Sequence, residues 1–175
     1  MTMHFIQSIS APSGAGASFT SIPSTYTHLQ LRMYVRSTAA AATAIGSLQF
    51  NNDVSTTSYN GNGITADGAT AVNTTQGANT YITLPPMPAN TATASIYGFH
   101  LIDILDYTST TKSKTIKILS GFDANGSGNC LIGGAIWYNT PAAIHTINFG
   151  ITTGWASGTR FDLYGITNNP IATGA

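Results

Sequence analysis

Apolar and polar residues alternate along several short segments of the chain. In HLQLRMYVR, residues 28–36, the side chains of Leu29, Leu31, Met33 and Val35 fall on one side of an extended backbone, and polar residues separate them. Successive side chains of a β-strand point to opposite faces of a sheet, so this alternation predicts a strand with one buried face and one wet face.

Other segments extend the same prediction. SIYGFHLIDILDY, residues 95–107, is apolar at both odd and even positions, which predicts a central strand. KTIKILS, residues 114–120, follows across the polar turn TSTTKS, so the two segments predict a hairpin. Further strands are predicted in SLQFN, TYITL, CLIGGAIWYN, AIHTINFG and TRFDLYGI. The Ala-rich run TAAAATA is too short to form a stable helix by itself.

Frequent turn signals and the lack of helical segments predict one all-β domain over residues 1–175. An antiparallel β-sandwich or a jelly roll fits this pattern best, with a closed barrel as the alternative. Residues 54–79 are rich in Gly, Thr and Asn with little periodicity, which predicts a long loop. Residues 1–17 are predicted to form either an N-terminal arm or an edge strand.

The low charge content indicates a protein that associates with other proteins in an assembly. The chain has six basic residues, six acidic residues, all of them Asp, and a net charge of zero, and only 7% of its residues are charged. Ordinary soluble domains are about 25% charged. A neutral surface does not attract phosphate backbones, so nucleic-acid binding is disfavoured, and it promotes association. A monomer solubilised by Ser, Thr and Asn is the alternative.

Targeting, membrane-spanning and disulfide-stabilised classes are not indicated. The N-terminal MTMHFIQSIS lacks the basic and apolar regions of a signal peptide. No run of apolar residues approaches the length of about 20 that a transmembrane helix requires. Cys130 is the single cysteine and stands in an apolar run, so it is expected to be a small buried side chain.

No motif predicts a catalytic, metal or cofactor site. The four histidines have no metal-ligand spacing, and the six Asp residues form no pair suited to glycoside hydrolysis. The loop DANGSGN resembles the start of a calcium loop, but Gly134 stands where the bidentate Glu is required, so a hairpin turn is favoured. Lys112, Lys114 and Lys117 are expected to be a solvated hairpin rather than a nucleic-acid patch.

Aromatic and N-terminal residues are the candidates for contacts. Trp137 is expected in the core, whereas Trp155, in the loop TTGWASGT, is expected to contact a partner. His4, Phe5 and Ile6 form an apolar stretch that suits either an arm added as a strand to a neighbouring protein or the first strand of the sandwich itself.

A set of motifs, taken in order, resembles a known family. FTSIPSTYTHLQLRMYVRS, LQFNND, FHLIDILDYTSTTKSKTIKILSG, GSGN, IWYNTPAAIHTINF and GTRFDLYGI are similar to segments of small all-β virion structural proteins of tailed bacteriophages. The resemblance runs from about Phe19 to Ile166 and implies no catalytic residues.

The resemblance implies a non-enzymatic structural role. The expected function is a capsid cement (decoration) protein that binds the major capsid protein, forms a homotrimer and stabilises the shell. The expected location is the capsid surface of the virion, with the host cytoplasm during assembly. The alternative is a tail-fibre or receptor-binding module that binds a host glycan. Neither role requires a cofactor, a nucleic acid or a membrane.

Overall fold

The computed structural model describes residues 1–124, 127–138 and 141–168. In these ranges the regular structure is entirely β. The strands are β1 (Thr2–Ser10), β2 (Gly16–Phe19), β3 (His28–Val35), β4 (Thr43–Ala44), β5 (Gly46–Phe50), β6 (Tyr59–Ala66), β7 (Ala71–Asn79), β8 (Ile82–Thr83), β9 (Met87–Pro88), β10 (Gly98–Ile104), β11 (Lys114–Asp123), β12 (Gly128–Trp137), β13 (Ile147–Ile151) and β14 (Arg160–Thr167).

Two antiparallel sheets form a sandwich. The large sheet has the order β1-β14-β3-β10-β11-β12-β6-β7, and the small sheet has the order β2-β13-β5-β8. The chain passes repeatedly from one sheet to the other, because β1, β3 and β14 lie in the large sheet while β2, β5 and β13 lie in the small one. This alternation gives the jelly-roll-like topology that the turn-rich sequence predicts.

The core lies between the sheets and follows the period of two. Leu29, Leu31, Met33 and Val35 of β3 are all buried, as their alternation predicts. β10 lies between β3 and β11 in the sheet, which confirms its prediction as a central strand. Aromatic rings fill the space between the sheets, where Phe149 stacks on Phe161, Phe19 meets Phe149 edge-on, and Phe50 contacts Tyr59 and Trp137.

The expectation of a long loop over residues 54–79 is wrong. β6 and β7 form an antiparallel hairpin in this region, and Asp67 closes its turn by accepting hydrogen bonds from the backbone N–H groups of Ala69 and Thr70. β6 pairs with β12 through a close approach of two backbones, at Gly63 and Gly133. Glycines allow the two backbones to come this close because they have no side chain. For the same reason they contribute no alternation of apolar and polar residues from which a strand could be predicted.

The N-terminal residues form strands of the sandwich rather than an arm. β1 pairs with β14 and is the first strand at one edge of the large sheet, while β2 pairs with β13 in the small sheet. The register of β1 shifts between Phe5 and Gln7, which places a β-bulge at Ile6. The edge-strand interpretation of residues 1–17 is therefore the one that the structure supports.

Candidate interaction surface

The outer face of the large sheet carries a row of exposed apolar side chains at its centre. In register, Leu101 of β10 stands beside Leu119 of β11, Leu119 beside Ile132 of β12, and Ile132 beside Ile64 of β6. Leu119, Ile132 and Ile64 are 42%, 55% and 52% exposed. Neighbouring strands lie about 4.8 Å apart, so these four side chains form a continuous apolar ridge across the sheet.

A row of small side chains runs parallel to the apolar ridge. Gly121, Cys130, Ala66 and Ala71 are paired in succession across β11, β12, β6 and β7. At the other end of this row, Phe99 stands beside Gly121 and is itself 44% exposed. Because the small residues project little from the backbone, this shallow row forms a groove beside the ridge.

A polar row borders the apolar ridge on its other side. Gln30 of β3, Asp103 of β10 and Lys117 of β11 are neighbours in register, and the Gln30 side-chain amide donates a hydrogen bond of 2.8 Å to the Asp103 carboxylate. Gly134 and Asn62 continue the row on β12 and β6. One positive and one negative charge therefore stand side by side at the edge of the apolar area.

The edge strand β1 presents a second exposed apolar area. Phe5 is 60% exposed and packs edge-on against Tyr164 with 5.8 Å between ring centroids. The Arg32 guanidinium lies 5.0 Å from the centre of the Tyr164 ring and donates to the Met3 sulfur. His4 is exposed, whereas the bulged Ile6 is partly buried against the core. β1 contains no charged residue.

Trp155 is buried, which corrects the expectation that it contacts a partner. Its indole packs edge-on against Phe161 with 5.0 Å between centroids. Its backbone N–H donates to the Gly14 carbonyl at 3.2 Å, and the residue forms an isolated bridge with Ser37. The surrounding glycines make this segment resemble a surface loop in the sequence. Its backbone is nevertheless held between Gly14, just before β2, and Ser37, just after β3, and the ring points into the sandwich.

Cys130 is exposed, which corrects the expectation of a buried cysteine. It belongs to an apolar run, yet only one face of β12 is covered by the small sheet. Side chains alternate between the two faces of a strand. Trp137 and Ala135 of β12 are buried, so the side chains of its even-numbered residues, including Cys130, point outward. The expected core position of Trp137 is confirmed, and counting from it would have placed Cys130 outside.

The three lysines in and beside the hairpin predicted from residues 95–107 and 114–120 do not form one surface. Lys114 is buried, and its ammonium donates to the backbone carbonyls of Ser109 and Lys112. Lys112 pairs with Asp106 at 2.9 Å, and this hydrogen bond holds the pKa of the Asp106 carboxyl below its usual range. Lys117 faces outward on β11. The three charges thus diverge, which gives no cluster for a phosphate backbone.

Titratable side chains do not converge on a reactive site in the described part of the chain. Within it, no three His, Cys or Asp residues come close enough to bind a metal ion together. In the loop DANGSGN, which resembles the start of a calcium loop, Asn125 lies outside the described residues, and Asp123 and Gly128 end β11 and begin β12. In the same described ranges there is no helix with the length and hydropathy to cross a membrane.

A cleft opens where the large sheet extends beyond the small one. Its volume is about 450 Å³, and it lies between the inner face of β6, β7 and β12 and the segment that follows β8. Apolar side chains line most of it, including Ile82, Leu84, Pro86, Ile118 and Leu131. It holds no charged side chain among its described lining residues, so it offers shape but no group for acid–base chemistry.

Comparison with protein-family models, with curated proteins and with solved structures found no match to this chain.

Proposed function

We propose that this chain is a non-enzymatic structural protein of a bacteriophage virion, and specifically a cement protein that binds the outside of the capsid as a homo-oligomer. The resemblance of its ordered motifs to phage virion proteins suggests the particle. The low charge and the exposed apolar areas of the sandwich support a role in assembly rather than in catalysis.

The observation that carries the proposal is the edge strand β1, which has little protection against pairing with another chain. Natural sheets protect their edges with charged residues, prolines or bulges, since an open edge can pair with another chain. β1 has nine residues without a charge or a proline, and its one protective feature is the bulge at Ile6. An edge of this kind can add to a sheet on the surface of the major capsid protein as a further strand. Phe5, on the same strand, would then serve as an apolar anchor.

The mechanism of stabilisation would be passive. Each copy removes apolar surface from water where it contacts the shell, at about 25 cal/mol per Å² before the costs of association. A homo-oligomer binds at several points at once, so modest individual contacts add up to avidity. Copies that bridge neighbouring capsid subunits would hold them together against the internal pressure of packaged DNA.

Particles assembled with and without the protein test this proposal. We expect particles that lack it to release their DNA at a lower temperature, measured by the fluorescence of a DNA-binding dye during heating. Adding the purified protein back should restore the higher temperature. Equal release temperatures in all three samples would contradict a cement function, as would labelled protein found only on the tail.

The alternative of a glycan-binding tail module receives no support from Trp155. Trp155 would have to expose its ring to stack on a sugar, and that ring is packed against Phe161. The tail module therefore becomes an outcome of the labelling experiment rather than the favoured function.

A further inference from the structure

We infer that the outer face of the large sheet is a contact between two copies of this chain, packed face to face about a two-fold axis with Cys130 inside the contact. This inference rests on the homo-oligomer in the proposed function and assigns its surface. It concerns a different surface from β1, which the proposed function assigns to the shell.

The relief of this face is complementary to itself. The apolar ridge of Leu101, Leu119, Ile132 and Ile64 projects beside the shallow row of Gly121, Cys130, Ala66 and Ala71. A two-fold contact must fit a surface to its own rotated copy, so one face needs both a projection and a groove. In such a contact the ridge of each copy lies in the shallow row of the other, as side chains interdigitate between packed sheets.

The charges on this face suit a second copy. The polar row contains one cation and one anion, Lys117 and Asp103, in neighbouring strands. When the ridge of each copy lies in the shallow row of the other, the polar rows of the two copies lie at opposite margins of the contact. Lys117 and Asp103 then stay in water and neither is buried unpaired, whereas a face of one sign would repel its own copy. The whole chain has a net charge of zero, so long-range repulsion between copies is absent.

The area is sufficient for a specific but reversible dimer. The polar row, the ridge and the shallow row together cover about 20 Å along the strand direction. Across the strands they cover six strands, each about 4.8 Å from the next. This footprint is on the order of 600 Å² per copy and 1,200 Å² for the pair, at the lower end of specific interfaces. A dimer of this size is expected to dissociate on dilution.

The native chain contains its own probe, because Cys130 is its single cysteine. We expect its thiol to react with a maleimide on the order of tenfold more slowly in concentrated protein than in dilute protein, as most copies pass from monomer to dimer. Sedimentation equilibrium over the same concentrations should show a monomer and a dimer. A Cys130→Ser variant provides the unreactive blank.

Two matched variants test the surface. Ile132→Asp places a charge in the middle of the ridge and should give a monomer with fast labelling of Cys130. Val54→Asp is the control, because Val54 is 65% exposed and lies in a loop away from this face, and it should dimerise like the native chain. Circular dichroism of both variants verifies that the fold is retained.

Each outcome separates this inference from the proposed function. A native chain that stays monomeric in solution but stabilises particles would overturn the inference and leave the cement function, though not its homo-oligomer, intact. An oligomer, including a trimer, in which Cys130 reacts at the monomer's rate would also overturn it. A dimer sensitive to Ile132→Asp that never binds particles would support the face and contradict the cement function.

Discussion

The buried His100 links single-residue burial to the pH dependence of stability. Its side chain points into the sandwich from β10 and is fully buried. Burial disfavours the charged imidazolium and lowers the pKa of His100 to about 4, although the backbone of Pro86 partly opposes this shift. In the unfolded chain an unperturbed histidine has a pKa of about 6.5. Between these two values, the unfolded state binds more protons than the folded state.

We expect the free energy of unfolding to fall as the pH is lowered from 7 to 4. The contribution of His100 is complete above about pH 6.5 and is lost progressively down to about pH 4, and it amounts to about 3 kcal/mol. Urea unfolding at a series of pH values measures it. His100→Leu should remove most of this slope, while the exposed control His145→Gln should keep it. An unchanged slope in His100→Leu would show that other groups cause the acid sensitivity.

The sequence predicts the burial of a residue only where its strand alternates strictly between apolar and polar side chains. The burial of Leu29, Leu31, Met33 and Val35 followed from strict alternation. Cys130 and Trp155 could not be placed in the same way. The run around Cys130 is apolar on both faces, and the small sheet covers one of them; the loop around Trp155 is held by backbone contacts that no periodicity records.

The attachment of the β6–β7 hairpin depends on one close approach between backbones. A Cβ atom on Gly133 would lie 2.6 Å from the Asn62 carbonyl oxygen and 3.2 Å from the Gly63 Cα. A Cβ on its neighbour Gly134 would meet only the Ile116 carbonyl oxygen, at an ordinary 3.5 Å. The two positions therefore form a matched pair within one strand.

We expect Gly133→Ala to lower the free energy of unfolding by about 2 kcal/mol or more, since strand β6 must move away from β12. Gly134→Ala should change it by less than about 1 kcal/mol. Hydrogen exchange should show faster exchange of the β6 amides in Gly133→Ala alone. Equal effects of the two substitutions would mean that the β6–β12 pairing tolerates a wider spacing.

The edge strand β1 allows the proposed shell contact to be tested at one element. Phe5→Asp places a charge on an exposed edge, a feature that natural sheets use to prevent strand pairing. We expect it to reduce binding of the purified protein to particles at least tenfold, measured by cosedimentation. The control is Val72→Asp, since Val72 is similarly exposed on β7 at the opposite edge of the same sheet. If both variants bind equally well, the shell contact lies elsewhere.

At the level of elements, the sequence predicted strands that bury side chains and missed those that pack by their backbones. β3 carries an apolar residue at every second position, and β10 and β11 each place two isoleucines on the inner face, which is the pattern that predicts all three strands. β6 and β7 are built largely from Gly, Asn and Thr, and their inner faces border the open cleft rather than a closed core. Without a buried face there is no selection for a hydrophobic period, so the hairpin resembled a loop.

The balance of charge over the whole molecule predicts how self-association responds to salt. Six basic and six acidic residues cancel, so two copies near pH 7 neither repel nor attract each other at long range. The contact inferred for the large sheet is mainly apolar, and salt does not screen apolar burial. We therefore expect the dimer dissociation constant to change by less than about threefold between low salt and about 1 M NaCl, measured by sedimentation equilibrium. Dissociation at high salt would instead indicate a contact held by ion pairs such as Lys117 with Asp103, and the apolar ridge would then not be its centre.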